Sequence, residues 1–116
     1  MLFRSTFLLS HWERDRDHGR LTVEQAVHKM TQSTATLFGL GDRGVLAPGH
    51  VGDANVIDHT TLQLHRPELV HDLPGAASRL IQRADGYIAT IKSGVATFVG
   101  GEGTGARPGS LLRGAR

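Results

Sequence analysis

Seven histidines are spread through this chain of 116 residues: His11, His18, His28, His50, His59, His65 and His71. Imidazole can move a proton near neutral pH or ligate a metal, so these residues frame the first chemical question. His11, Asp15 and His18 stand at i, i+4 and i+7, which on an α-helix puts them on one face. Such a face could hold a divalent metal, since imidazole and carboxylate are ordinary zinc ligands. The competing reading is a polar helix face beside Trp12, with Asp15 paired to neighbouring side chains or to solvent. His71-Asp72 has the composition of a general base and its orienting acid. Adjacent residues seldom pair that way, and a hydrogen bond that fixes the loop is the better reading. Ser10, beside His11, and Ser93 both lie outside a Gly-x-Ser-x-Gly elbow, so neither is presented as a nucleophile. Gly100 to Gly105 lacks a following Lys-Ser or Lys-Thr and reads as a loop rather than a phosphate cradle. Trp12 and Tyr87 are the only large amphipathic aromatics. Either could form a ligand platform, with burial the better role for Trp12.

Composition narrows the classes. The chain is 39% hydrophobic and 21% charged, which fits one small folded domain rather than a disordered or membrane-embedded chain. It has no cysteine, so disulfides and thiolate metal sites are excluded. The opening residues have an apolar run broken by Arg4, Ser5 and Thr6, which reads as helix rather than export signal. No stretch reaches the roughly 20 apolar residues of a membrane span, so a cytoplasmic chain without membrane contact is expected. The net charge is +2, and Arg107, Arg113 and Arg116 in the tail carry the excess. Elsewhere basic and acidic residues alternate, which indicates solvated surface and no nucleic-acid partner.

The elements that must position these residues fall into two halves. Phe3, Phe7, Leu8 and Trp12 have the spacing of one helix face, predicting a helix over 3–18 that ends at His18-Gly19. A second helix is predicted from Thr22, with Gln25 completing a capping box and Val23, Ala26, Val27 and Met30 as its apolar stripe. Gly39 and Gly41 mark the end of helix. Gly44 to Ala47 and Ala54 to Ile57 are short strand candidates, with a Pro48-Gly49 turn between them. Thr60 to Leu64 extends the strand pattern, Arg66-Pro67-Glu68 breaks it, and Val70 to Gly75 is a loop. Arg79 to Arg83 is ambiguous between strand and helical turn. Tyr87 to Val99 is the clearest β element, a hairpin turning at Lys92-Ser93-Gly94. Gly100 to Gly103 is a loop, followed by an irregular basic tail. The class is α+β: two N-terminal helices, then a partial β-sandwich of short strands. A helical 1–40 and a β-rich 41–116 are the expected divisions.

Several of these segments resemble a known family. Thr34, Ala35, Leu37, Gly39, Leu40, Asp42, Arg43, Gly44, Leu46, Pro48, Gly49, Asp53 and Asn55 to Asp58 resemble the segment where amidohydrolases leave their barrel and re-enter a small β-sandwich. The branch that looks most similar is the N-acyl-D-amino-acid deacylases (D-aminoacylases). The resemblance to it also rests on Phe7 to Trp12, Val70 to Pro74, Gly86 to Ile91 and Thr104 to Gly109. It covers about Phe7 to Arg113. Here Asp53 precedes Ala54 where Ala-Asp is usual, which moves the carboxylate one position and, in a strand, to the other face.

The resemblance implies the last helices of a TIM-type barrel followed by the C-terminal part of a composite sandwich. It also implies a parent activity: zinc-dependent hydrolysis of amide bonds in N-acyl-D-amino acids or related amides. In such enzymes the metal activates a water and polarises the carbonyl. The family's ligands include a His-x-His pair, and no two histidines here have that spacing. Its proton-accepting aspartate should precede the Phe7 helix, and Met1 to Thr6 contain no acid. No catalytic, cofactor-binding or metal-binding residue is therefore carried over, and the chain alone is expected to be inactive and structural. Its expected partner is the barrel-bearing remainder of the enzyme, or a second copy of itself, meeting apolar surface around Phe7, Leu8, Trp12 and Val45 to Ile57. The alternative from the residues themselves is a small independent α+β binding module with a histidine-held divalent metal.

Overall fold

The computed structural model describes residues 3–112, with Phe3 and Arg4 described through their backbone alone. The expected helix-face role of Phe3 and the tail residues Arg113 and Arg116 lie outside the described side chains.

The first helix is shorter and wider than its sequence spacing predicts. Helix α1 spans Phe3–Phe7 and continues as a π-helical stretch over Leu8–Asp15. Its last turn is closed by the Arg16 N–H donating to the His11 carbonyl at 3.0 Å, a five-residue step. Arg16 then turns extended, with φ −70° and ψ 144°. The helix therefore ends three residues before His18. Helix α2, Val23–Met30, starts as expected. The Thr22 hydroxyl accepts from the Gln25 N–H at 3.3 Å, and the Gln25 side chain accepts from the Thr22 N–H at 3.1 Å. Each bond satisfies a donor that the first helical turn would leave free. Only Ala26 of its apolar stripe is buried, with Met30 packed at the edge of the core, while Val23 and Val27 stay exposed.

A bend at Thr31 separates α2 from α3, Gln32–Leu37. Gly39, at φ +67°, ends α3. The Gly39 N–H donates to Thr36 and the Leu40 N–H to Ala35, a complete Schellman closure. Gly44 to Ala47 is not a strand. It bends back against α3, so close that a Cβ on Gly44 would come within 2.9 Å of Ala35 and Gln32. Pro48-Gly49 makes the expected turn, with the His50 N–H bonded to the Ala47 carbonyl and Gly49 at φ +84°.

The strands are short and wholly antiparallel. They are β1 Ala54–Ile57, β2 Gln63–Leu64, β3 Glu68–Val70, β4 Arg79–Ile81, β5 Ala84–Asp85, β6 Tyr87–Lys92, β7 Val95–Val99 and β8 Glu102–Gly103. They sort into a four-stranded sheet in the order β1-β6-β7-β8 and two ribbons, β2-β5 and β3-β4. The α+β order, helices first and short strands after, follows the sequence reading. The predicted break at Arg66-Pro67-Glu68 runs into β3, which pairs with β4 and settles the ambiguous Arg79 segment as strand. The Tyr87–Val99 hairpin turns on Ser93-Gly94 alone, both at positive φ, as a tight right-twisted connection requires. Gly100-Gly101 make a second turn of the same kind and return the chain as β8, where a plain loop was expected.

One apolar cluster joins the two halves. Leu9, Ala26 and Leu62 are buried, with Leu8, Met30, Ile57 and Tyr87 packed around them. Gly86 allows this: at φ +87°, a Cβ there would lie 2.7 Å from the Leu62 Cα.

Candidate functional site

The π-helical stretch and the β2 segment enclose an open cleft of about 370 Å3. Phe7, Ser10, His11, Arg14 and Asp15 line one wall; Gln63 to Pro67 and Gln82 line the other. The π-helical widening decides which side chains meet there. The His11 ring stacks on Phe7, centroids 4.8 Å apart and 14° from parallel, and meets Trp12 edge-on. Trp12 remains 40% exposed, with the Arg16 guanidinium 4.1 Å above its ring.

The structure does not bring His11, Asp15 and His18 together as ligands. Asp15 is taken by Arg14 at 2.7 Å. That hydrogen bond is the main force holding the Asp15 carboxyl below the usual carboxylate range, against the opposing effect of burial. His18 stands past the helix end, where the i+7 relation no longer holds. Among the described residues, no three His, Asp or Glu side chains converge to hold a metal ion.

The remaining candidates are equally committed. The Ser10 hydroxyl is buried and donates to the Thr6 carbonyl at 2.8 Å. Asp72 accepts two hydrogen bonds from Arg79, at 2.6 and 2.7 Å. The hydrogen bond from Arg79 pulls the Asp72 carboxyl below its ordinary value. The loop-fixing reading of Asp72 is thus the observed one. Ser93 offers its N–H to the Asp53 carboxylate at 2.9 Å, and Lys92 reaches the same oxygen at 2.9 Å. Arg43 joins them from the other side at 3.2 Å and also pairs with Asp42. Asp53, despite its inverted position, ties the start of β1 to the hairpin turn. The Tyr87 hydroxyl bonds the Thr6 hydroxyl at 2.9 Å and packs on the core rather than presenting a platform.

Sequence reasoning missed two histidine–carboxylate pairs. His59 pairs with Glu13 across 46 residues of chain. His65, one residue past β2, pairs with Asp85 of β5 at 2.7 Å. The first joins the helix to the β1–β2 turn, and nothing in local spacing could reveal it. The second follows from antiparallel register once Gln63 is placed opposite Asp85. The cleft thus offers an aromatic–imidazole wall, and of its charged side chains Arg14 pairs with Asp15 and His65 with Asp85. That arrangement can receive a side chain.

Comparison with known proteins supplies the class. Residues 1–98 match the Amidohydrolase family, and the chain belongs to that family. Among relatives, it is 37% identical over 98 residues to N-acyl-D-aspartate deacylase from Alcaligenes xylosoxydans xylosoxydans, covering 84% of this chain and 18% of that protein. It is 55% identical over 40 residues to adenine deaminase from Methanoculleus marisnigri, covering 34% of this chain and 8% of that protein. The chain therefore spans less than a fifth of the length of either relative. No solved structure matches. No helix among the described residues is long and apolar enough to cross a membrane.

Proposed function

We propose that this chain is a structural, closing portion of a metal-dependent hydrolase that cleaves the amide bond of N-acyl-D-amino acids. The carrying observation is the 98-residue match to a deacylase, which takes in helices and strands together. The match to adenine deaminase is higher in identity but is confined to 40 residues. In this reading residues 1–40 are the last helices of a barrel, and 41–116 are part of a composite sandwich. Zinc and the groups that activate water belong to the barrel-bearing remainder of the enzyme, which is the proposed partner. Self-association over the same surface is the lesser alternative.

Packing supports the reading. Among the described residues, the buried apolar side chains are Leu9, Ala26, Ala35 and Leu62, a small core for a chain of this length. Phe7, Trp12, Val23, Val27, Leu46 and Val56 remain exposed, on the helices, the Gly44–Ala47 bend and β1, where a covering surface is expected. Two measurements test the proposal. The purified chain should hydrolyse no N-acyl-D-aspartate, with or without added zinc. A chimera of the Alcaligenes deacylase carrying this chain in place of its matching segment should keep activity, and changing His11, His18 or His71 in the graft should leave kcat unaltered. Turnover by the chain alone, or loss of kcat on changing one of those histidines, refutes the structural role.

A further inference from the structure

We infer that the turn Asp58–Leu62 is a keystone that makes the helical and β-rich portions one cooperative folding unit, with Arg14 as the clasp that holds it. The inference is independent of the hydrolase reading. The turn is gripped from both sides. On the helix side, Arg14 Nη1 donates to the His59 carbonyl at 2.6 Å and the Thr60 carbonyl at 3.3 Å, and Nη2 donates to the Leu62 carbonyl at 2.9 Å. Asp15 fixes the guanidinium plane from behind, through Nε at 2.7 Å and Nη2 at 3.3 Å. A planar fork held in this way loses little further freedom for each carbonyl it meets. Glu13, one residue earlier, takes the His59 side chain.

On the strand side, the Asp58 N–H donates to the Gly86 carbonyl at 2.8 Å, and the Thr60 N–H donates to the Asp58 carboxylate at 3.0 Å. Gly86 lies so close beneath the turn that a Cβ would meet Leu62 N, Leu62 Cα and the Asp58 carbonyl at 2.7–2.9 Å. The turn ends by driving Leu62, fully buried, between Leu9 and Ala26 of the helices and Ile57 and Tyr87 of the sheet. Thr6, also fully buried, bonds the Tyr87 hydroxyl.

These contacts cannot be lost singly. Lifting the helix away exposes Leu62 and leaves turn carbonyls without a donor. Opening the sheet removes the floor at Gly86 and the Tyr87 contact. Exposing Leu62 to water and leaving part-buried turn carbonyls without donors are both costly, so both halves should open together. The change from helix to strand near Gly41 is then a change of secondary structure and not a folding boundary.

Native-state hydrogen exchange on the full chain tests this, comparing wild type with Arg14→Ala, Arg14→Lys and Arg79→Ala. In wild type, the slowest amides of Leu9 to Asp15 and of Tyr87 to Ile91 should share one opening constant. Arg14→Ala should speed exchange in both segments by the same factor, roughly tenfold or more, while Arg79→Ala speeds neither. If Arg14→Ala does not fold, Arg14→Lys carries the test, because one ammonium cannot span the same carbonyls and both segments should still accelerate together. Separate opening constants in wild type overturn the inference. So does acceleration of the helix alone in either Arg14 variant.

Discussion

Two arginine–aspartate pairs in this chain have nearly the same geometry and opposite surroundings. Arg14 grips Asp15 at 2.7 Å beside the buried Leu62, and Arg79 grips Asp72 at 2.6 Å at the exposed loop end of the β3–β4 ribbon. Around Arg14, a helix, a turn and a sheet share one apolar cluster. Around Arg79, the one apolar pair facing across the ribbon is Leu69–Leu80, 61% and 71% exposed, with a half-buried Val70 opposite Arg79 itself. The difference teaches that bond length says little about importance here. An ion pair in water gains little net energy, whereas the same pair beside the Asp58–Leu62 turn also orients the donors that reach its part-buried carbonyls.

The sharpest way to break this contrast is to empty the junction. Leu62→Ala should destabilise the chain by about 2–5 kcal/mol, through lost burial and the cavity left behind. Leu69→Ala, the same chemical change in the ribbon, should cost less than about 0.5 kcal/mol, as surface substitutions generally do. Urea unfolding of both variants measures the gap, and equal midpoints would dissolve the distinction between the two regions.

Glycines separate crowding from backbone strain. Gly86 and Gly75 have similar positive φ, +87° and +71°, but nothing lies within 4 Å of a Cβ on Gly75. Gly75→Ala should therefore show strain alone, on the order of 1 kcal/mol. Gly86→Ala adds a clash with the Leu62 backbone and should cost about 2–4 kcal/mol. Chemical denaturation reads both, and the difference between them is the cost of displacing the Asp58–Leu62 turn.

What the sequence disclosed follows the same division between local and distant. The Thr22–Gln25 box, the Gly39 stop, the Pro48-Gly49 turn and the Tyr87–Val99 hairpin were legible because each is closed by residues a few positions apart. The ribbon β3-β4 was not, since two three-residue strands find each other across a loop and carry no periodicity of their own. The helix over 3–18 was misjudged for another reason. Its apolar spacing fits α geometry, but the Leu8–Asp15 stretch is π-helical and stops at Asp15, which leaves His18 off the one histidine–carboxylate face that local reasoning could propose, while Arg14 takes Asp15. The pairs Glu13–His59 and His65–Asp85 depend on tertiary placement and were invisible beforehand.

Thr22→Ala tests the best-predicted local feature. Removing the hydroxyl that accepts from Gln25 should cost about 1 kcal/mol, and the loss should appear in helical circular dichroism and in the unfolding midpoint. The effect should be smaller than at Leu62 because α2 buries only Ala26 fully. A loss as large as that of Leu62→Ala would mean that the helix start, rather than the turn, organises the junction.

The smallest expected effect lies at Asp53, and it sharpens the comparison through pH. Partial burial pushes the Asp53 carboxyl up. Hydrogen bonds from the Ser93 N–H and the Lys92 ammonium, with the charges of Lys92 and Arg43, outweigh that and leave it below its ordinary 3.8. A carboxyl held below its unfolded value binds fewer protons in the folded chain than in the unfolded one. Its contribution is therefore complete above about pH 4 and disappears as pH falls through the lower folded value. Because the side chain is about one-third exposed, solvent screening keeps this contribution below about 1 kcal/mol. Asp53→Asn should lower stability slightly at pH 7 and flatten the decline between about pH 4 and pH 2. Denaturant midpoints across that range check it. An unchanged acid slope in Asp53→Asn would assign the decline to the other carboxyls held low, Asp15, Glu24, Asp58 and Asp72, and leave the hairpin turn without an electrostatic anchor.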